Sequence, residues 1–163
     1  MPRYKFIDLF AGIGGFHIAF HNAGMSCVFA CEIDKYARKT YIDNFQHTSP
    51  DLFKKGNFPE DIGIINPDKI PDFNILCAGF PCQPFSQAGY KKGFQDEKNN
   101  RGNMFFEIIK VIKSKRPQAF FLENVRHLVN HDDGRTLQTI KDTLDELEYS
   151  FYSKKVKASE YGL

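Results

Sequence analysis

The sequence has no tryptophan, little excess of either charge, and no apolar run approaching the roughly 20 residues that a membrane-spanning helix needs. A formal net charge of +2 is too small to mark a nucleic-acid surface by itself, so any such surface has to be local. The opening MPRYKFIDLF is a short polar lead into a strand without the apolar core of a secretory signal. Membrane association is therefore not expected, and the cytoplasm is the expected location. Cys27, Cys31, Cys77 and Cys82 show neither zinc-type spacing nor the density of a secreted disulfide scaffold, so no metal centre is expected. The first three sit in apolar stretches and read as packed, reduced core thiols. With 163 residues, 42% of them apolar and 26% charged, the chain suits one domain with a real core.

What is present is an alternation of short apolar runs with helical patterns, which predicts an α/β fold built on a mostly parallel sheet flanked by helices. Strands are expected at residues 4–10, 27–33, 73–78 and 119–125, with a last one near 151–158. Helices are expected at 16–23, 35–45, 104–115 and 135–148, the second capped by Asp34. Residues 46–72 contain four prolines and read as loop-rich, with room for a short strand near 61–65. The polar stretch 86–103 reads as a mobile loop. Neither a repeat nor a domain linker is visible.

Four segments carry chemistry. In DLFAGIGGF, Asp8 to Phe16, Gly12, Gly14 and Gly15 lie between a strand and a helix, where missing side chains let a ligand approach backbone N–H groups. Glu32 ends the second strand some twenty residues later, where a carboxylate can accept hydrogen bonds from ribose hydroxyls. That layout suits an adenosine cofactor and leaves both NAD and S-adenosylmethionine open. In GFPCQPFS, Pro81 and Pro84 hold Cys82 in a stiff turn at the carboxyl end of the third strand. A structural cysteine needs no such mount, whereas a nucleophile does, because a 1 Å misplacement can cost roughly a hundredfold in rate. In FFLENV, a very apolar strand ends in Glu123 and Asn124; burial there would raise the Glu123 pKa and suit it to proton donation. A thiol, a tuned carboxyl and an adenosine site suit attack on an electron-poor ring followed by group transfer. Hydride transfer would leave the thiol without a task.

DLFAGIGGF, EIDKYA, GFPCQPFS, RGNMFFEI and ENV occur in the order that characterises cytosine-5 DNA methyltransferases, and from about Lys5 onward the chain resembles the N-terminal part of a bacterial restriction–modification enzyme of that family. The resemblance implies a Rossmann-like S-adenosylmethionine-dependent methyltransferase fold, and S-adenosylmethionine as cofactor. It implies that Cys82 attacks C6 of a cytosine, that Glu123 holds or protonates N3, and that Asn124 helps place Glu123 and the Pro-Cys loop. It puts Phe10, Ala11, Gly12, Gly14, Gly15, Glu32, Asp61, Ile62, Pro81 and Met104 around the cofactor. It assigns Gln83, Ser86, Gln87, Lys91, Lys92 and Arg101 to a loop that closes over duplex DNA, from which the target cytosine is flipped.

The sequence ends at KASEYGL, where the family's pattern continues into an arginine-bearing motif, a target recognition domain and a returning C-terminal helix. The expectation is a single, partial catalytic and cofactor-binding domain over 1–163, incomplete at the C-terminal end of its sheet. It would belong to a split or truncated enzyme that a second polypeptide completes. A non-catalytic module that binds S-adenosylmethionine, an RNA cytosine-5 methyltransferase and a dinucleotide dehydrogenase are the competing readings.

Overall fold

KFIDL forms β1 (Lys5–Leu9), buried along all but its first residue. Such a run, apolar on both faces, belongs inside a parallel sheet covered from both sides. Three more strands, β2 (Ser26–Cys31), β3 (Ile75–Gly79) and β4 (Ala119–Glu123), join it in a parallel sheet of spatial order β2-β1-β3-β4. The computed structural model describes residues 4–81 and 104–162.

Helix α1 (Gly15–Asn22) carries the chain from β1 to β2. Helices α2 (Lys35–Phe45) and α3 (Pro50–Lys54) lie on the return to β3, on the other side of β1. The direction of winding therefore reverses between β1 and β3. In open α/β sheets, the crevice beyond the carboxyl ends of two such strands is where ligands bind. The glycine turn follows β1, and Phe80 and Pro81 follow β3.

Register pairs Phe6 with Ile75 and Asp8 with Cys77 on one face of the sheet, and Ile7 with Leu76 and Leu9 with Ala78 on the other. On the first face Phe6 packs edge-on against His17 and tilted against Phe20, both from α1. Tyr41 and Phe45 of α2, Leu52 of α3 and Phe58 extend the same cluster. Each fully buried side chain of this size contributes on the order of 2–3 kcal/mol by leaving water. Asp34 caps α2 as expected, its carboxylate accepting the N–H groups of Tyr36 and Ala37 at 2.9 and 2.8 Å. Helix α4 (Met104–Lys115) buries Phe105, Ile108, Ile109, Val111 and Ile112, and β4 follows. Among the described residues β4 is an edge of the sheet, and Phe121 on it is half exposed.

The residues from Asn124 onward form a second compact unit. Two short 3₁₀ turns, Arg126–Val129 and His131–Gly134, lead into α5 (Arg135–Asp145), whose buried residues are Thr136, Ile140, Thr143 and Leu144.

Residues 46–72 are loop-rich as expected, and within them Ser49-Pro50-Asp51 starts the short α3 with proline and an acidic residue in its first turn. Three expectations about elements are corrected. The strand near 61–65 is instead a 3₁₀ turn, Ile62–Ile64, capped by Asp61. The helix expected to reach Glu148 ends at Asp145, and Glu148 itself has φ of 63°. Residues 151–157 form no strand and are largely exposed. A strand exists only where a neighbour completes its ladder, and no such pairing is present among the described residues. No helix of the described residues is long and apolar enough to cross a membrane.

Candidate active site

After β1 the backbone enters the left-handed region at Phe10, Gly12 and Gly14, with φ of 57°, 54° and 98°. The Ala11 N–H still bonds to the Cys31 carbonyl at 3.0 Å, and the Gly14 N–H closes the turn on the Ala11 carbonyl at 2.9 Å. The glycines do different work. A Cβ on Gly14 would lie 2.1 Å from the Phe45 ring, so this glycine lets the start of α1 pack on α2. A Cβ on Gly12 or Gly15 would meet nothing within 4 Å among the described residues, which leave the backbone there uncovered.

The Gly12 N–H donates to Glu32 Oε2 at 2.8 Å, and Glu32 Oε1 accepts the Asp34 N–H at 2.7 Å. Glu32 is thus drawn to the glycine turn from the end of β2. Each of its oxygens keeps a second acceptor direction for an incoming hydroxyl. Asp61 is half-buried and turns one oxygen to the Gly63 N–H at 2.8 Å, and Ile62 beside it is buried. The thiol of Cys31 registers both carboxylates. Burial first, then the charges of Asp61 and Glu32, push its pKa up to about 12, with Arg38 opposing.

At the neighbouring strand ends, Gly79 of β3 pairs with Glu123 of β4. A Cβ on Gly79 would lie 3.4 Å from Glu123 Oε2, so the carboxyl lies beside the backbone that leads into Phe80 and Pro81. Phe80 is buried and Pro81 exposed. Glu123 itself is exposed, which corrects the expectation of burial; it ends an edge strand, and the apolar residues before it are only partly covered. Asn124 begins the second unit and accepts the Val125 N–H on Oδ1 at 2.9 Å. Met104 is the first residue of α4 and half-buried. Cys82, Gln83, Ser86, Gln87, Lys91, Lys92 and Arg101 lie outside the described residues.

Two features escaped the sequence reading. One is a buried polar cluster behind the glycine turn. His17 is fully buried, stacks on Phe45 with ring centroids 3.8 Å apart, and shares hydrogen bonds with Tyr41 Oη at 2.6 Å and Ser49 Oγ at 3.1 Å. Burial, aided by the nearby His21, lowers its pKa to about 4. Asp8, also buried, has no hydrogen-bond partner on either carboxyl oxygen among the described residues, and burial holds its pKa well above the usual carboxylate range. The His17 backbone N–H is near enough to oppose that shift in part without completing a bond. A charged residue inside an apolar strand was the available signal. The other feature is Arg38, one turn into α2, whose guanidinium reaches the carbonyls of Glu32, Phe58 and Pro59. Its signal was weaker, since a lysine- and arginine-rich helix start usually faces water.

The family model described as C-5 cytosine-specific DNA methylase matches residues 4–163. The chain is 51% identical over 163 residues to the type II methyltransferase M1.ScrFI of Lactococcus lactis subsp. cremoris, covering 99% of this chain and 39% of that protein. It is 46% identical over 160 residues to the type II methyltransferase M.HhaI of Haemophilus parahaemolyticus, covering 98% of this chain and 45% of that one. The chain therefore spans less than half the length of these relatives. Among solved structures, a mutant of Spodoptera frugiperda DNMT2 superposes with a TM-score of 0.59 at 24% identity, over 86% of this chain and 41% of that one. Likeness at that level concerns the fold, which is the Rossmann-like methyltransferase sheet with its flanking helices. The match over nearly the whole chain and the identities near one half lead to one conclusion: the chain belongs to the C-5 cytosine-specific DNA methylase family.

Proposed function

We propose that the chain supplies the cofactor-binding and nucleophile-bearing part of an enzyme that methylates C5 of cytosine in duplex DNA. The observation that carries this reading is the meeting of four strand ends at one edge of the sheet. There the uncovered Gly12 backbone, the acceptors of Glu32, and Gly79 beside Glu123 stand around the point where the winding reverses.

The residues present suit S-adenosylmethionine. Glu32 would take the ribose hydroxyls, Asp61 and Ile62 the adenine, and Phe10, Ala11, Gly12, Gly14 and Gly15 would leave room for the methionine arm, with Pro81 and Met104 completing the walls. When bound, this cofactor supplies an electrophilic methyl group. Cys82, as thiolate, adds to C6 of the cytosine and makes C5 nucleophilic. Glu123 holds a proton at N3, where negative charge would otherwise collect, and Asn124 steadies Glu123. C5 would be the atom that accepts the methyl group, with S-adenosylhomocysteine as the leaving group. Water or hydroxide would then take the C5 proton, the C5–C6 double bond would re-form as the C6–S bond breaks, and Cys82 would be free for the next turnover.

The reading includes a cytosine flipped from the duplex, since C6 is shielded within the stack. Gln83, Ser86, Gln87, Lys91, Lys92 and Arg101 would face the DNA, and sequence longer than this chain, on the same or a second polypeptide, would complete the site and read the target. A cytoplasmic location, where both DNA and S-adenosylmethionine are available in a bacterium, belongs to the same reading.

The test is transfer of a labelled methyl group from S-adenosylmethionine, by this chain joined with the C-terminal part of a relative. The expected product is 5-methylcytosine in duplex DNA. Transfer only to transfer RNA, or cofactor binding without transfer to any nucleic acid, would overturn the assignment.

A further inference from the structure

Arg38 projects from the first turns of α2 and lies largely covered, its side chain only 17% exposed. Its guanidinium makes three short hydrogen bonds to main-chain carbonyls. Nη1 donates to Glu32 O at 2.9 Å and to Pro59 O at 2.7 Å, and Nη2 donates to Phe58 O at 2.8 Å. The same group lies over the Phe58 ring, 4.2 Å from its centroid, with Nε 3.8 Å from Glu60 Oε1. None of these contacts touches the carboxylate of Glu32 or of Asp61.

The carbonyls it joins belong to two backbones. One is the end of β2, from which Glu32 projects. The other is the segment 57–60, which leads directly to Asp61 and Ile62. Between these backbones, the main-chain bond from Ala30 N–H to Asn57 O is 3.0 Å long, but the next, from Glu32 N–H to Pro59 O, has stretched to 3.4 Å. The two segments are parting there, at the position where the two acidic side chains emerge. Arg38 closes that gap. Charge-assisted bonds from a planar guanidinium are stronger and more directional than the neutral bonds they extend.

We infer that Arg38 is a positioning residue for the cofactor's adenosine end, one guanidinium fixing the spacing between Glu32 and Asp61. This rests on the cofactor reading given above. Burial raises the Cys31 pKa, the charges of Asp61 and Glu32 raise it further and Arg38 opposes them, which agrees with the three groups surrounding one point at the end of β2. A lysine cannot replace it, because an ammonium lacks the flat fork that serves three carbonyls at once.

The experiment has a binding arm and an arm that needs no cofactor. S-adenosylhomocysteine is titrated calorimetrically into the full chain and into Arg38→Gln, Arg38→Lys, Glu32→Gln and the Arg38→Gln/Glu32→Gln double variant. Both Arg38 variants are expected to lose roughly tenfold in affinity, with Glu32→Gln costing much less in the Arg38→Gln background than alone, as coupled groups do. Amide exchange on the same proteins without ligand should show faster exchange at Gly12, Asp34 and Gly63 in Arg38→Gln, with the β1–β3 ladder still protected. Losses that simply multiply, wild-type affinity in Arg38→Lys, or unchanged exchange at those three amides would overturn the positioning role. Failure of the unsubstituted chain to bind would instead strike the cofactor reading, while the exchange arm still decides whether Arg38 holds the two segments.

Discussion

The carboxylate of Glu32 accepts the Gly12 backbone N–H at 2.8 Å, joining the ends of β1 and β2 across 20 residues of sequence. The bond brings the open glycine turn and the acceptor pair into one site before any ligand arrives. Glu32→Ala removes the acceptor of two backbone N–H groups, each worth about 1 kcal/mol, and of the proposed ribose contact as well. Calorimetry with S-adenosylhomocysteine should show a loss well beyond tenfold, while urea unfolding shows a loss of about 1–2 kcal/mol. Unchanged affinity would remove Glu32 from the cofactor site.

Gly12 and Gly14 separate packing from binding. Gly14→Ala places a methyl group in the Phe45 ring at a backbone φ of 98° and should destabilise the fold by about 2–4 kcal/mol. Gly12→Ala meets no neighbour among the described residues, and its positive φ should cost only about 1–2 kcal/mol. Cofactor affinity should nonetheless fall sharply in Gly12→Ala, because the added methyl covers the backbone the ligand approaches. Equal effects of the two substitutions on unfolding would contradict the division.

Much of this was legible because it is written in strong local patterns. The four strands and helices α1, α2 and α4 follow from apolar periodicity and caps, and the glycine turn from the residue type its φ angles require. Glu123 was misjudged because exposure at a strand end depends on which strand lies outermost, and strand order is a long-range property. The strand expected near 151–158 misled for the same reason, since a ladder needs a partner that no local pattern supplies. Helix α3, only five residues long, carried a readable Ser-Pro-Asp start but too little periodicity to stand out. Arg38 was invisible because its partners are backbone carbonyls, which have no sequence signature.

His17 and Asp8 make opposite contributions to stability against pH. The folded pKa of His17, about 4, lies below its ordinary 6.5, so its contribution is full above pH 6.5 and is lost as pH falls toward 4. The folded pKa of Asp8 lies above its ordinary 3.8, so its contribution is present below that value and is lost as pH rises. Between these limits the two partly cancel. Asp8→Asn removes the second, leaving stability that rises with pH by up to about 1.4 kcal/mol per unit from His17. Urea unfolding across that range should show a steeper positive slope in the variant and a more stable variant at neutral pH. A parallel, merely displaced curve would mean that Asp8 does not titrate differently in the folded chain.

Cys82→Ser, in the chain joined with the C-terminal part of a relative, should abolish methyl transfer and leave S-adenosylhomocysteine affinity within about twofold, since a nucleophile acts after the cofactor is bound. Equal loss of both would make Cys82 a structural residue.

The central claim, a covalent bond between Cys82 and a flipped cytosine, is tested most directly by trapping that bond. The joined enzyme is incubated with S-adenosylmethionine and duplex DNA carrying 5-fluorocytosine, in which fluorine replaces the proton whose loss would release the thiol. A denaturation-resistant protein–DNA adduct, mapped to Cys82 and absent from Cys82→Ser, is the predicted result. An enzyme that binds both the DNA and the cofactor yet forms no adduct, or forms one at another residue, would contradict the account.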